Sequence, residues 1–207
     1  MRSVHSPSLF LATLAFALSF SSSAWAEDLE SNFKEATARL QPYLVLTDRA
    51  AANARTGVGK AEIAGALALL EKVTAARPDH WPAFWFIGKA HQALREHPAS
   101  YEAFKQSFAL KPLHPDVARE FVIEAICVNA TSEAVTAARG VATSNASNAG
   151  LRANLGLALL ANGQLAEAYN VTKEALAMDP NDRITKGLLA EIVEVQRGRP
   201  PSQYCPP

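Results

Sequence analysis

One fixed repeat step organises most of this chain. With Gly88 and Gly156 set in one register, two steps apart, three contiguous windows of equal length follow, 81–114, 115–148 and 149–182. The first carries Phe84, Ile87, Gly88, Phe104, Leu110 and Pro112; the third carries Leu155, Gly156, Leu159, Ala168, Ala175, Met178 and Pro180 at matching offsets. Extended backwards, 47–80 places Ala66, Leu70, Val73 and Pro78 in the same columns. A repeat of this length is one small structural unit that cannot bury its apolar face alone, so the units must stack.

Within the windows the apolar spacing is helical. Leu29, Phe33, Ala36 and Leu40 predict a helix over Glu27–Gln41, with acidic residues favouring its first turn and Pro42 ending it. Tyr43–Thr56 is less regular and predicts the first helix of a degenerate unit, with Thr56-Gly57-Val58-Gly59 as a turn. Ile63, Leu67, Leu70 and Val73 predict a helix over Lys60–Ala76. Paired helices follow over Trp81–Leu94 and Ala99–Leu110, broken at His97-Pro98, where proline cannot continue a helix. The middle pair, Pro115–Asn129 and Ser132–Thr143, departs from the pattern: Val122 stands where Gly is expected and Ala146 where Pro is expected. A branched side chain at 122 predicts a wider local separation of the two helices. Ala149–Ala161 and Gln164–Met178 form the next pair around Asn162-Gly163. Asp182 is placed to cap a last helix, Arg183–Arg197, and 198–207 is a Pro-rich tail.

These windows resemble the tetratricopeptide repeat, a unit of two antiparallel helices. The resemblance implies an all-α solenoid of about four helix-turn-helix repeats. Its expected organisation is an N-terminal helix within 27–46, a degenerate repeat at 47–80, repeats at 81–114 and 149–182 around a degenerate one at 115–148, and a capping helix at 183–197. It further implies a concave face, lined by the first helix of each repeat, that binds protein segments. The groove-facing columns fall on Trp85, Phe86, Lys89 and Gln92, then Arg119, Glu120, Ile123, Ile126 and Cys127, then Asn154, Leu157 and Leu160. For Ile123 and Ile126, packing into the core is the competing reading. Some family members clamp a partner's C-terminal carboxylate with Lys and Asn. The clamp columns here hold Trp85, Lys89, Arg119, Glu120 and Ile123, and Glu120 repels a carboxylate, so that function does not carry over.

Residues 1–26 read as a secretory leader that is cleaved. Arg2 and His5 precede an apolar run, Leu9–Phe20, and Ala24-Trp25-Ala26 is an A-x-A cleavage site. The serines at 21–23 stop the run short of a membrane span. Removing Arg2 with the leader leaves 19 basic against 20 acidic residues, so no basic excess is present to hold nucleic acid or an anionic membrane. A periplasmic or secreted location is expected.

Export puts Cys127 and Cys205 in an oxidising compartment. The tail after Arg197 is ~10 residues and reaches ~30 Å when extended, enough to tie Cys205 back to Cys127. The alternative is a buried Cys127 with Cys205 free or paired between chains. His80, His91, His97 and His114 lack the i,i+4 or tight clustering of a metal site and read as scattered histidines. Gly59-Lys60 lacks the first glycine and the Ser/Thr of a phosphate loop. Asn129, Asn145 and Asn170 open glycosylation sequons that matter only in a eukaryotic secretory pathway. No nucleophile, paired-acid or metalloprotease motif is present. The sequence therefore predicts a non-catalytic adaptor or scaffold of the cell envelope, without cofactor or metal. Its partner-binding residues are Trp85, Phe86, Lys89, Gln92, Arg119, Ile123, Asn154 and Leu157. A self-associating homo-oligomeric spacer is the alternative.

Overall fold

The computed structural model describes residues 28–44 and 52–205. The expected leader lies outside them, as does half of the helix expected over Tyr43–Thr56. Among the described residues the regular structure is helical, with no β-strand. Helix α1 runs over 28–40 and passes into a single 3-10 turn, Gln41–Tyr43, that carries Pro42. There follow α2 (Gly57–Ala76), α3 (Trp81–Leu94), α4 (His97–Leu110), α5 (Pro115–Cys127), α6 (Thr131–Ser144), α7 (Ala149–Ala161), α8 (Leu165–Met178) and α9 (Arg183–Gln196).

The helix ends have local causes, two of which differ from the sequence reading. Thr56–Gly59 is no free turn. Thr56 is the N-cap of α2, its side chain accepting from the Gly59 N–H at 3.0 Å. Gly59 is required there, because a Cβ would fall 2.1 Å from the Asn53 carbonyl oxygen. Pro98 does not break the α3–α4 pair either; it sits in the first turn of α4, where its missing N–H costs nothing. The chain reverses one step earlier, at Arg95, which is left-handed with φ 62°. The same column repeats the device at Asn129 (φ 62°) and again at Gly163 (φ 76°), one repeat further each time. Asp182 caps α9, its carboxylate accepting from the Ile184 and Thr185 N–H groups.

From α2 onwards each helix packs on its chain neighbours, and α5 with α7 and α7 with α9 also meet. The first helices of the pairs thus form an inner row, α3, α5, α7 and α9, with α4, α6 and α8 outside it. This is a tetratricopeptide-type α-solenoid. Apolar burial falls into two main clusters. Leu40, Ile63, Leu70 and Val73 join α1, α2 and α3. Phe104, Phe121, Val122, Leu159 and Ile192 join α4 through α9.

Within the pairs, one contact column sets how closely the helices approach. A Cβ on Gly88 would stand 2.7 Å from the Phe104 ring, and one on Gly156 would stand 2.1 Å from the Thr172 hydroxyl oxygen. The equivalent residues of the middle pair are Val122 and Ala138, both fully buried in one cluster. Large and small have changed sides, yet α5 and α6 approach each other less closely than α3 and α4 or α7 and α8 do, as the branched residue at 122 predicts. On the outside, Lys105 pairs with Glu133 at 3.0 Å, and one repeat later Arg139 pairs with Glu167 at 2.7 Å.

Candidate functional site

The inner row brings a polar network to the junction of α3 and α5. Lys89 is only 7% exposed. Its ammonium hydrogen-bonds the Gln92 amide oxygen and lies 3.3 Å from Glu120. The Gln92 amide N–H group reaches Glu120 at 3.2 Å and Glu124 at 3.0 Å. Glu120 and Glu124 are one turn apart on α5 and buried, with exposures of 6% and 1%. The second oxygen of Glu124 faces His97 Nδ1 at 2.9 Å, and the second oxygen of Glu120 faces Arg119 at 3.3 Å. Two buried carboxylates are tolerable here only because each keeps a cation or donor on both oxygens. Arg119 is exposed and also pairs with Asp116.

The other predicted groove residues divide. Trp85 and Phe86, expected to line the groove, are both half-buried. Trp85 packs on the larger core cluster, edge-on to Phe86 and Phe104, with its indole nitrogen buried and unbonded. Phe86 meets Phe33 of α1 at 5.7 Å, since α1 closes that end of the stack. Ile123, Asn154 and Leu157 are half-buried along α5 and α7; Ile126 packs on the core cluster.

Cys127 and Cys205 are joined by a disulfide, with Cα atoms 5.3 Å apart. The tail leading to it is held along α9. Arg199 pairs with Glu194, and the Ser202 N–H and Tyr204 hydroxyl both donate to one oxygen of Glu191, at 2.8 and 2.9 Å. Burial raises the Glu191 carboxyl, but these donors outweigh it and hold the group below its ordinary value. Burial, reinforced by the bond to Glu191, pushes the Tyr204 hydroxyl up.

His97, Glu124 and Cys127 place three ligand-type atoms within 4.8 Å of one another. The disulfide has consumed the thiol, however, and Glu124 is already bonded by Gln92 and His97. The other histidines have structural partners. His80 caps α3 and meets Phe33 edge-on, burial lowering its pKa; His91 meets Glu96 at 2.7 Å; His114 packs at a tilt on Trp81. On the outer side, Phe108, Leu113, Phe121, Thr136 and Ala137 line a cavity of about 560 Å³ between α4 and α6.

Sequence reasoning passed over Glu124, Glu191 and Tyr204. Signals existed for two: Glu124 lies one turn from Glu120 on the same face, and Glu191 falls one repeat after Leu157.

No family model and no curated protein matches the sequence. Solved structures do. One MamA crystal structure is 17% identical, with a TM-score of 0.59 over 67% of this chain and 81% of that one. MamA AMB-1 is 27% identical, with a TM-score of 0.53 over 78% and 91%. The first TPR of Spaghetti (RPAP3), bound to the HSP90 peptide SRMEEVD, is 14% identical, with a TM-score of 0.51 over 56% and 93%.

Proposed function

This chain has the tetratricopeptide-repeat fold, and from that premise we propose that it is a non-catalytic, exported adaptor that holds another envelope protein against its concave face. The observation that carries the reading is the surface over α3 and α5. A fully bonded polar floor of Lys89, Gln92 and Glu120 lies beside exposed Arg119 and half-buried Ile123. Such a floor binds without reorganising, and an exposed Arg beside an apolar side chain is a common anchor for a partner. The neighbour bound to a peptide supports a protein-interaction module of this fold. Export is supported by the leader sequence and by the Cys127–Cys205 disulfide, which persists in an oxidising compartment.

The test is crosslinking and affinity capture from native envelope extract, with the mature chain as bait and Arg119→Gln/Ile123→Ala as control. A protein captured by the wild type and lost with the control supports the adaptor; equal capture by both refutes this face. The leader is checked by the N-terminus of the exported protein, which should be Glu27.

The outer cavity favours a second reading, a self-associating spacer. Leu113 beside it is 55% exposed, and Phe108 stacks on Phe121 in its wall. Light scattering that gives a monomer at high concentration rules the spacer out.

A further inference from the structure

We propose that the tail, Arg199–Cys205, is a built-in occupant of the α5–α7–α9 half of the groove, and that the partner docking there is an extended, proline-bearing segment whose tyrosine hydroxyl bonds to Glu191. This deepens the adaptor reading and rests on it. The register carries the placement. Glu191 stands in the column of Lys89, Ile123 and Leu157, each one repeat from the next, and Cys127 also occupies a groove-facing column. The tail grips both. It is pinned at Glu194 and then at Glu191 on α9, and it ends covalently on α5. Since α7 packs against both α5 and α9, a segment running from α9 to α5 has to pass α7.

The contacts are those of a bound peptide. A backbone N–H and a side-chain hydroxyl converge on one buried-edge carboxylate, and an aromatic ring, Tyr204, packs on the core cluster. Pro200 and Pro201 stiffen the approach and lower the ordering cost. Tethered at both ends, the tail acts at millimolar effective concentration and excludes competitors.

Release follows thiol–disulfide exchange with a dithiol reductant. A reductant thiolate attacks one sulfur, the Cys127–Cys205 bond breaks and a mixed disulfide forms. The second reductant thiol then closes its own ring. Two electrons and two protons pass to the chain, leaving two thiols and one oxidised reductant.

The test uses the full chain and a fluorescent peptide of residues 199–207 carrying Cys205→Ser. In anisotropy titrations, Tyr204→Ala/Cys205→Ser, whose own tail no longer competes, should bind the peptide at least tenfold more tightly than the oxidised wild type. Adding Glu191→Ala should remove at least fivefold of that affinity. No saturation by about 1 mM peptide, or equal binding by the oxidised wild type, overturns the proposal. Should the variant unfold by circular dichroism, hydrogen exchange of the wild type decides instead. Exchange over 154–161 and 199–205 should quicken when dithiothreitol opens the disulfide, and no change overturns the proposal. Peptide binding with a failed envelope capture removes the partner reading of the α3–α5 face alone. Successful capture without peptide binding removes the tail proposal alone.

Discussion

Lys89 of α3 and Glu120 of α5 lie 3.3 Å apart, both nearly sealed from solvent. They join two successive inner helices through charge rather than apolar contact. Lys89→Ala would leave Glu120 and Glu124 buried with less compensation, although Arg119 and Gln92 remain on Glu120. Loss of one partner from a buried pair is strongly destabilising, and about 3 kcal/mol is expected here. Urea unfolding measures it. Lys89→Ala/Glu120→Gln should recover part of the loss, because the uncompensated charge is gone. A double variant no more stable than the single would show that the pair is not what holds Lys89.

Gly156 and Thr172 test the notch between paired helices. Gly156→Ala puts a methyl group onto the Thr172 hydroxyl, which is buried and has no hydrogen-bond partner. Overpacking of this kind costs about 1–3 kcal/mol. Thr172→Ala removes the obstructing atoms, so the double variant should be more stable than the two single effects predict, with a coupling of at least about 0.5 kcal/mol. Additive effects would mean that the helices simply move apart.

The same column explains what the sequence disclosed and what it hid. Gly88 and Gly156 set the period, and the solenoid followed from it because each small residue marks a close helix approach. Val122 looked like a defect for the same reason. The pair it belongs to is indeed the wider one, and what the sequence hid is only that Ala138 on the opposite helix lets Val122 stay fully buried. The polar site was hidden differently. Column analogy selected Lys89, Gln92 and Arg119, but burial of the acids is a tertiary property: Glu124 reads as a solvated helix face until α3 and His97 close over it. Trp85 also packs edge-on to Phe104, a contact that column analogy does not show.

That packing changes what Trp85 can test. Trp85→Ala removes contacts with Phe86 and Phe104 from the edge of the core and should destabilise by about 2 kcal/mol or more, below the cost of deleting a fully buried tryptophan. Arg119→Gln, on an exposed position and still able to donate to Glu120, should leave the melting temperature within about two degrees while weakening partner capture. Scanning calorimetry of the two variants separates the roles. An unchanged melting temperature for Trp85→Ala would return Trp85 to the groove surface.

Docking of the tail should depend on pH at both extremes. Glu191 is held below its ordinary value of 4.5 in the folded chain by donors that exist only when the tail is docked. A depressed carboxyl contributes docking stability that is present above 4.5 and is lost as pH falls through the depressed value. Tyr204 is raised above its ordinary 10.0, so its contribution is whole below pH 10 and fades as pH rises through the raised value. The tail should therefore stay docked across the neutral range, loosen in acid and loosen again in strong alkali. Cys205→Ser, which frees the tail to dissociate, exposes the equilibrium. The Ser202 amide, which donates to Glu191, reports on it by nuclear magnetic resonance. Glu191→Gln should abolish the acid transition of that amide while sparing the alkaline one. An acid transition of the same midpoint in Glu191→Gln would assign it to another group and remove Glu191 as the anchor of the tail.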